Sequence, residues 1–385
     1  MPLSVFTAPL VAALVGIAGA LAVVLAAAEA VGASQAETVS WVAGLGLTMA
    51  ATSALLSWRF RIPVITAWST PGAAVIAATQ GIGIRAAVGA FLLANVLIVA
   101  TAAVKPLGRL IERIPPAIAA AMLAGVLVRF VTAMFESAKT SPWLVLPLVA
   151  LFLVMRRVHA SLAMLLVLAA AVILAAQSGN FVGFASQLQP TQLVWIWPLF
   201  DPVVLIGLGV PLYLVTMASQ NLPGAAVIRA AGYQVPFSAC LGVTGLASIL
   251  AAPLAAHGTN LAAITAAICV SPDAHPDASK RWQTGVIYGV IYTGIALMAG
   301  PLVSLFTAVP LPLMKTVAGL GLIGALTGAL GLALADDKTR FCAVLTFVVT
   351  ASGVALGGIG SAFWGLVAGL MALALEGWNP VKAER

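Results

Sequence analysis

Polar residues able to hold an anion gather at three places in an otherwise apolar chain. The first is Ile65-Thr66-Ala67-Trp68-Ser69-Thr70-Pro71-Gly72. Its opening residues are β-branched and extended in character. Ser69 or Thr70 can cap a helix whose first position is Pro71, where a missing N–H costs nothing. The second place, Leu254-Ala255-Ala256-His257-Gly258-Thr259-Asn260, has the same form, with Thr259 or Asn260 as the cap. A short strand entering a half-helix points free N–H groups and a positive dipole end at one spot, and such a terminus seeks anions. The third is Ala218-Ser219-Gln220-Asn221, a run of small and amide residues closing an apolar helix. Gln220 and Asn221 can donate to a substrate oxygen or clamp neighbouring helices.

Ionisable groups at membrane depth are scarce. His257 stands beside the expected site and can carry a proton near neutral pH, or pack as a neutral hydrogen-bonded side chain. Glu29, Asp201 and Glu376 fall at the ends of apolar runs, Arg129 and Glu136 lie near an outer surface, and Lys315 snorkels. Asp273, His275 and Asp277 have metal-ligand spacing, but they sit in a Pro-rich turn beside Lys280 and Arg281 and read as a solvated loop. Cys240, Cys269 and Cys342 are odd in number and far apart, so no disulfide framework follows. No metal or cofactor is expected. An intramembrane enzyme needs a nucleophile and a base in reach, and one deep histidine without an acidic partner does not supply them.

These residues must be positioned by membrane-spanning elements. The 385 residues are 62% hydrophobic and 8% charged, against about 25% charged in a soluble domain. That excludes a water-exposed globular surface. At about 20 apolar residues per span, the chain reads as an all-α polytopic membrane protein of about 14 transmembrane segments. The expected spans are 8–28, 38–57, 64–79, 84–103, 114–134, 142–157 and 160–176. A Gln- and Pro-rich segment from Gln177 to Pro198 separates them from 202–220, 236–254, 256–270, 283–304, 313–334, 339–356 and 360–376. The stretch from Met1 to Ala30 lacks a positive leading region and reads as an uncleaved first helix. With this count most of the 18 Lys and Arg residues fall in even-numbered loops, which puts both termini in the cytoplasm by the positive-inside rule. The net charge of +7 is accounted for in this way and does not imply nucleic acid.

Seven spans per half means that equivalent helices run in opposite directions, a 7+7 inverted repeat with short strands and half-helices in spans 3 and 10. Thr70 to Ala78 aligns without gaps on Thr259 to Ala267, in the interrupted third span of each half. Paired interrupted spans mark a transporter's binding site. Two short strands there could pair with each other, because non-helical backbone at that depth must be paired or line a cavity. Gly324/Gly328 and Gly365/Gly369 have GxxxG spacing, which permits close contact within or between subunits and leaves a homodimer open.

Several blocks together resemble the benzoate:proton symporter (BenE-type) family of bacterial membrane permeases. They are Ile65 to Ala74; Ser219 to Gly224 with Arg229-Ala230-Ala231-Gly232-Tyr233; Ala262 to Cys269; Ser271 to Asp277; and Gly358 to Gly365. The resemblance implies uptake of benzoate or a related aromatic carboxylate with a proton across the bacterial inner membrane. It also implies the fold of nucleobase permeases and sulfate-type anion transporters. In that fold a core domain (1–104 and 201–305) moves against a gate domain (105–200 and 306–385). Ser69, Thr70, Gly72, Thr259 and Asn260 would then offer donors to the carboxylate. Gln220 and Asn221 would line the cavity, and Trp68 would pack on the ring. His257 or Glu29 would take up the proton, unless it travels with the substrate. Nucleobase permeases carry acids near the positions of Gln220 and Thr259. Neutral groups here favour an anionic cargo over a nucleobase, with a nucleobase or inorganic-anion permease of the same fold as the alternative.

Overall fold

The computed structural model describes residues 2–79, 81–104, 115–179, 188–357 and 359–377. Two long helices open the chain, α1 (Ser4–Ala30) and α2 (Gln35–Phe60). A capping box starts α2: Ser34 Oγ accepts from the Glu37 N–H, and the Glu37 carboxylate accepts from the Ser34 N–H. The chain then becomes extended for β1 (Thr66–Trp68) and enters the short α3 (Thr70–Ala77). Next come α4 (Ile84–Ala103), α5 (Pro116–Ala138), α6 (Pro142–Val158) and α7 (Ala160–Gln177).

Residues 188–201 run as an extended strap over the ends of other helices. Ile196 N–H donates to Pro253 O at 2.7 Å and Leu199 N–H to Arg85 O at 2.9 Å. Gly89 and Gly300 make the approach feasible, since a Cβ at either would collide with the strap backbone at Leu199 and Gln189. The second half contains α8 (Pro202–Ala230), α9 (Phe237–Ala251), β2 (Thr259–Leu261) and α10 (Ile264–Val270). It ends with α11 (Trp282–Leu297), α12 (Ala299–Thr307), α13 (Leu311–Ala333), α14 (Arg340–Ser352) and α15 (Ser361–Gly377).

Among the described residues seven helices are long and apolar enough to cross a membrane, and α11–α12, bent by 64°, adds an eighth. Others expected as spans are shorter. The 13 residues of α14 rise about 20 Å, less than the ~30 Å hydrocarbon core. One expected boundary is corrected. The run Ala218–Asn221 was expected to end its helix, whereas α8 continues to Ala230. Two π-turns, Leu205–Gly209 and Met217–Asn221, each end two residues before a proline, Pro211 and Pro223. Proline cannot donate to the carbonyl four residues back. A wider turn just before it lets the helix pass through instead of stopping.

Glycine-mediated contacts hold the bundle. Gly46, Gly285 and Gly289 bring α11 and α2 together at Ala296, Ser57 and Ala54. Gly319 of α13 meets Phe130 and Met134 of α5, and Gly125 of α5 meets Thr350 of α14. The Gly365/Gly369 pair is used within the chain, against Thr350 and Thr346, while a Cβ at Gly324 or Gly328 would meet open space.

Candidate functional site

The two short strands pair antiparallel with each other, in the register Thr66↔Leu261, Ala67↔Asn260 and Trp68↔Thr259. A two-stranded sheet has two open edges, which at membrane depth cannot turn to water. Helix hydroxyls close them. On α2, Ser53 Oγ accepts from Thr66 N–H at 3.0 Å, and Ser57 Oγ both accepts from Val64 N–H and donates to its carbonyl. Ser53 and Ser57 are one turn apart and so share a face. On the far edge, Ser248 Oγ of α9 accepts from Thr259 N–H at 2.8 Å. Asn221, in the second π-turn of α8, accepts from Leu261 N–H at 3.1 Å through its amide oxygen.

Side chains alternate across a strand, so the register decides what each candidate residue does. Thr66, Trp68, Thr259 and Leu261 share one face. Thr66 Oγ1 lies 2.8 Å from Thr52 Oγ1, and Thr259 Oγ1 lies 2.6 Å from Thr48 Oγ1, both on α2. Trp68 is buried edge-on against Tyr292 of α11, with ring centroids 6.2 Å apart. Trp68 and Thr259, expected to face substrate, are both engaged inside the helical wall in this structure. Asn221, expected to line the same cavity, has its amide oxygen on a strand edge and is fully buried.

The opposite face carries Ala67 and Asn260. Asn260 is 0% exposed, and neither its amide nitrogen nor its oxygen has a hydrogen-bond partner. The π-turn bearing Ser219 and Gln220 packs on β2. Ala67, Thr70, Ser219 and Gln220 are half-buried. Ser69 caps α3 as expected, its Oγ accepting from Gly72 N–H at 3.0 Å, and the same oxygen lies 3.0 Å from Thr216 Oγ1 on α8. Gly72 is buried under Leu212, and a Cβ there would have no room.

The second half-helix starts later than expected. Thr259 and Asn260 belong to β2 and cap nothing; α10 begins at Ile264 behind Ala263, which offers no side-chain cap. The gapless alignment of the two copies is thus shifted by about one helical turn. The strands that pair are Thr66-Ala67-Trp68 and Thr259-Asn260-Leu261, each leading to a short helix. The far end of α10 is closed by Arg281, which is buried and donates to Val270 O at 3.1 Å and His275 O at 2.7 Å.

His257 sits just before β2, 1% exposed. Trp41 Nε1 donates to its Nδ1 at 2.9 Å, and its Nε2 lies 3.0 Å from Ser69 O. An indole N–H only donates and a carbonyl only accepts, so the imidazole is held neutral with its proton on Nε2. It ties α2 and the second strand segment to the cap of the first half-helix. Asn95 of α4 completes the clamp by donating to His257 O at 3.2 Å. Trp41, Asn95, Thr216, Ser53, Ser57 and Ser248 were not expected as site residues. The i, i+4 hydroxyl pairs of α2 were the visible signal for some of them.

A cavity of about 1370 Å³ opens elsewhere, between α1, the end of α3, α5, α12 and the start of α13. Of the expected residues only Glu29 lines it; the strand-pair residues do not.

A bundle of apolar helices built round a pair of buried strands, each leading into a half-helix, defines a polytopic membrane transporter. A solved structure of similar fold is the transmembrane domain of a cyanobacterium bicarbonate transporter, BicA, with a TM-score of 0.58 at 12% identity over 96% of this chain and 98% of that one. Residues 1–375 match the family model for the benzoate membrane transport protein, BenE, and the chain belongs to that family. It is 37% identical to the inner membrane protein YdcO of Escherichia coli over 96% of this chain and 95% of that protein. It is 33% identical to a benzoate membrane transport protein of Acinetobacter baylyi over 96% and 94%.

Proposed function

We propose that this transporter imports benzoate or a related aromatic carboxylate together with a proton. The observation that carries this reading is Asn260. A buried amide with no partner costs about 1–3 kcal/mol, and this one occupies the face of the strand pair opposite Thr66 and Thr259, beside the π-turn of Gln220 and near the cap of α3. A ligand oxygen there would satisfy it. Thr70 and Gln220 add neutral polar groups beside it, while the Ser219 hydroxyl donates to Val215 O; surroundings without acids suit an anion better than acidic residues would. The name of the Acinetobacter relative agrees with this cargo.

Proton coupling follows from electrical work. An anion entering against an inside-negative potential is opposed by about 2.3 kcal/mol per 100 mV, and one proton cancels that charge. Both nitrogens of His257 are occupied, so in this reading it positions the site, and Glu29, facing the large cavity, takes the proton. The remainder of the reading is a 7+7 inverted repeat of about 14 segments, with the core (1–104 and 201–305) moving against the gate (105–200 and 306–385). It lies in the bacterial inner membrane with both termini cytoplasmic.

The test is uptake into proteoliposomes under an imposed pH gradient. Labelled benzoate should accumulate, and substituted benzoates should compete, whereas uracil, sulfate and bicarbonate should not. Failure to accumulate any aromatic acid overturns the reading.

A further inference from the structure

The large cavity is lined by four charged side chains: Glu29 of α1, Arg129 and Glu136 of α5, and Lys315 of α13. The ion pairs among the described residues are Lys280–Asp277 and Arg340–Asp337, both away from this cavity, so none of the four charges is paired with another. At about 1370 Å³ the space exceeds the roughly 300–1,000 Å³ of a closed small-molecule site. It is a vestibule.

Arg129 is the most constrained of the four. It is half-buried, whereas Glu29, Glu136 and Lys315 are exposed. Its guanidinium rests on Gly353, the left-handed C-cap of α14. A Cβ at Gly353 would lie 2.9 Å from Cζ, 2.9 Å from Nη1 and 3.1 Å from Nη2. Near-equal distances mean that the guanidinium lies flat over the glycine. Its donors, which lie in its own plane, are left directed sideways. The C-terminal end of α14 supplies partial negative charge beneath it, which holds the cation without using up its donors on a carboxylate. Phe130, Phe306 and Met314 give the same vestibule an apolar wall, and Lys315 adds a second positive charge on α13. The exposed carboxylates act through water and are screened, while a half-buried guanidinium acts through a lower local dielectric.

We propose that Arg129 is the capture residue of a second, outlying carboxylate subsite in this vestibule. It receives the substrate's carboxylate in a two-pronged hydrogen bond while the ring lies against the apolar wall, before transfer to the Asn260 face. The class of ligand rests on the function proposed above. An Arg–carboxylate pair of this kind uses the planar fork of the guanidinium, which is why a lysine would replace it only in part.

The experiment measures equilibrium binding of benzoate and of uncharged benzamide to the full chain in nanodiscs, separately from uptake in proteoliposomes. Arg129→Gln should raise the benzoate Kd by about tenfold, as loss of one charge-assisted contact does. Arg129→Lys should recover part of that loss, and benzamide binding should not change. An unchanged benzoate Kd, an equal loss for benzamide, or no benzoate binding to the unaltered protein overturns the subsite. Arg129-dependent binding without any uptake keeps the subsite and overturns the transport reading. Uptake with Arg129-independent binding does the reverse.

Discussion

The indole of Trp41 donates to the imidazole of His257 across 2.9 Å, joining α2 to the segment that enters β2. Because the other imidazole nitrogen faces Ser69 O, the histidine is a neutral bridge between the two interrupted segments. Removing it leaves the buried Trp41 N–H without a partner, while Ser69 O keeps the Ala73 N–H. His257→Ala should lower stability by about 3–5 kcal/mol, the orphaned indole donor together with the cavity left by the ring. Trp41→Phe, which frees only the imidazole nitrogen, should cost less, about 1–3 kcal/mol. Unfolding monitored in detergent would check both. Trp41→Phe should also leave the shape of the uptake-against-pH curve intact; a shifted curve would restore a proton-carrying role to His257.

Asn221 and Asn260 are both fully buried amides but should respond oppositely to the same change. Asn221→Leu strips the acceptor from Leu261 N–H and should destabilise the protein by about 1–3 kcal/mol. Asn260→Leu removes an amide that has no partner. Stability should hold or rise while substrate affinity falls. Parallel unfolding and uptake measurements on the two variants would separate a strand pin from a ligand-facing group.

Glu29→Gln should abolish accumulation driven by a pH gradient while leaving exchange of labelled for unlabelled substrate. Retained accumulation would move the coupling proton to another group or to the substrate itself.

Ser69→Ala deletes the oxygen that accepts from Gly72 N–H and meets Thr216. A lost cap costs about 1 kcal/mol, and the site should loosen with it. A lowered thermal midpoint together with a raised KM is the expected pair of results.

In the loop after α10, the Asp277 carboxyl is held below the ordinary carboxylate range, chiefly by hydrogen bonds from Ser279, with Lys280 adding to it. The group is exposed and its contribution is small. Its sign is defined, because the folded form binds the proton less readily. The stabilisation is present above the unfolded pKa and is lost as pH falls through the lower folded value. Asp277→Asn should flatten the acid side of the stability curve, measured between the ordinary carboxylate range and below.

How much of this was legible in the sequence depended on whether the cause was local. The span expected over 84–103 appears as Ile84–Ala103, between a glycine and a charged, proline-containing stretch of sequence. The cap at Ser69 was readable because hydroxyl, proline and glycine occur at the spacing a helix start requires. Local signals failed at Pro223, where a stop was expected and a π-turn carries the helix onward. They failed again at the second half-helix, where the alanine-rich segments match better one turn out of register.

Hydropathy, charge placement and paired interruptions in the sequence alone determined a polytopic membrane protein with two broken segments meeting near one site. The direction in which each side chain of a three-residue strand points was decided only by tertiary structure. A shift of one residue exchanges the two faces. The register is held by partners far away in the chain: Ser53, Ser248, Asn221 and the Thr48–Thr259 contact. Those contacts turned Trp68 and Thr259 into the wall and left Asn260 facing the other way with its amide unpaired.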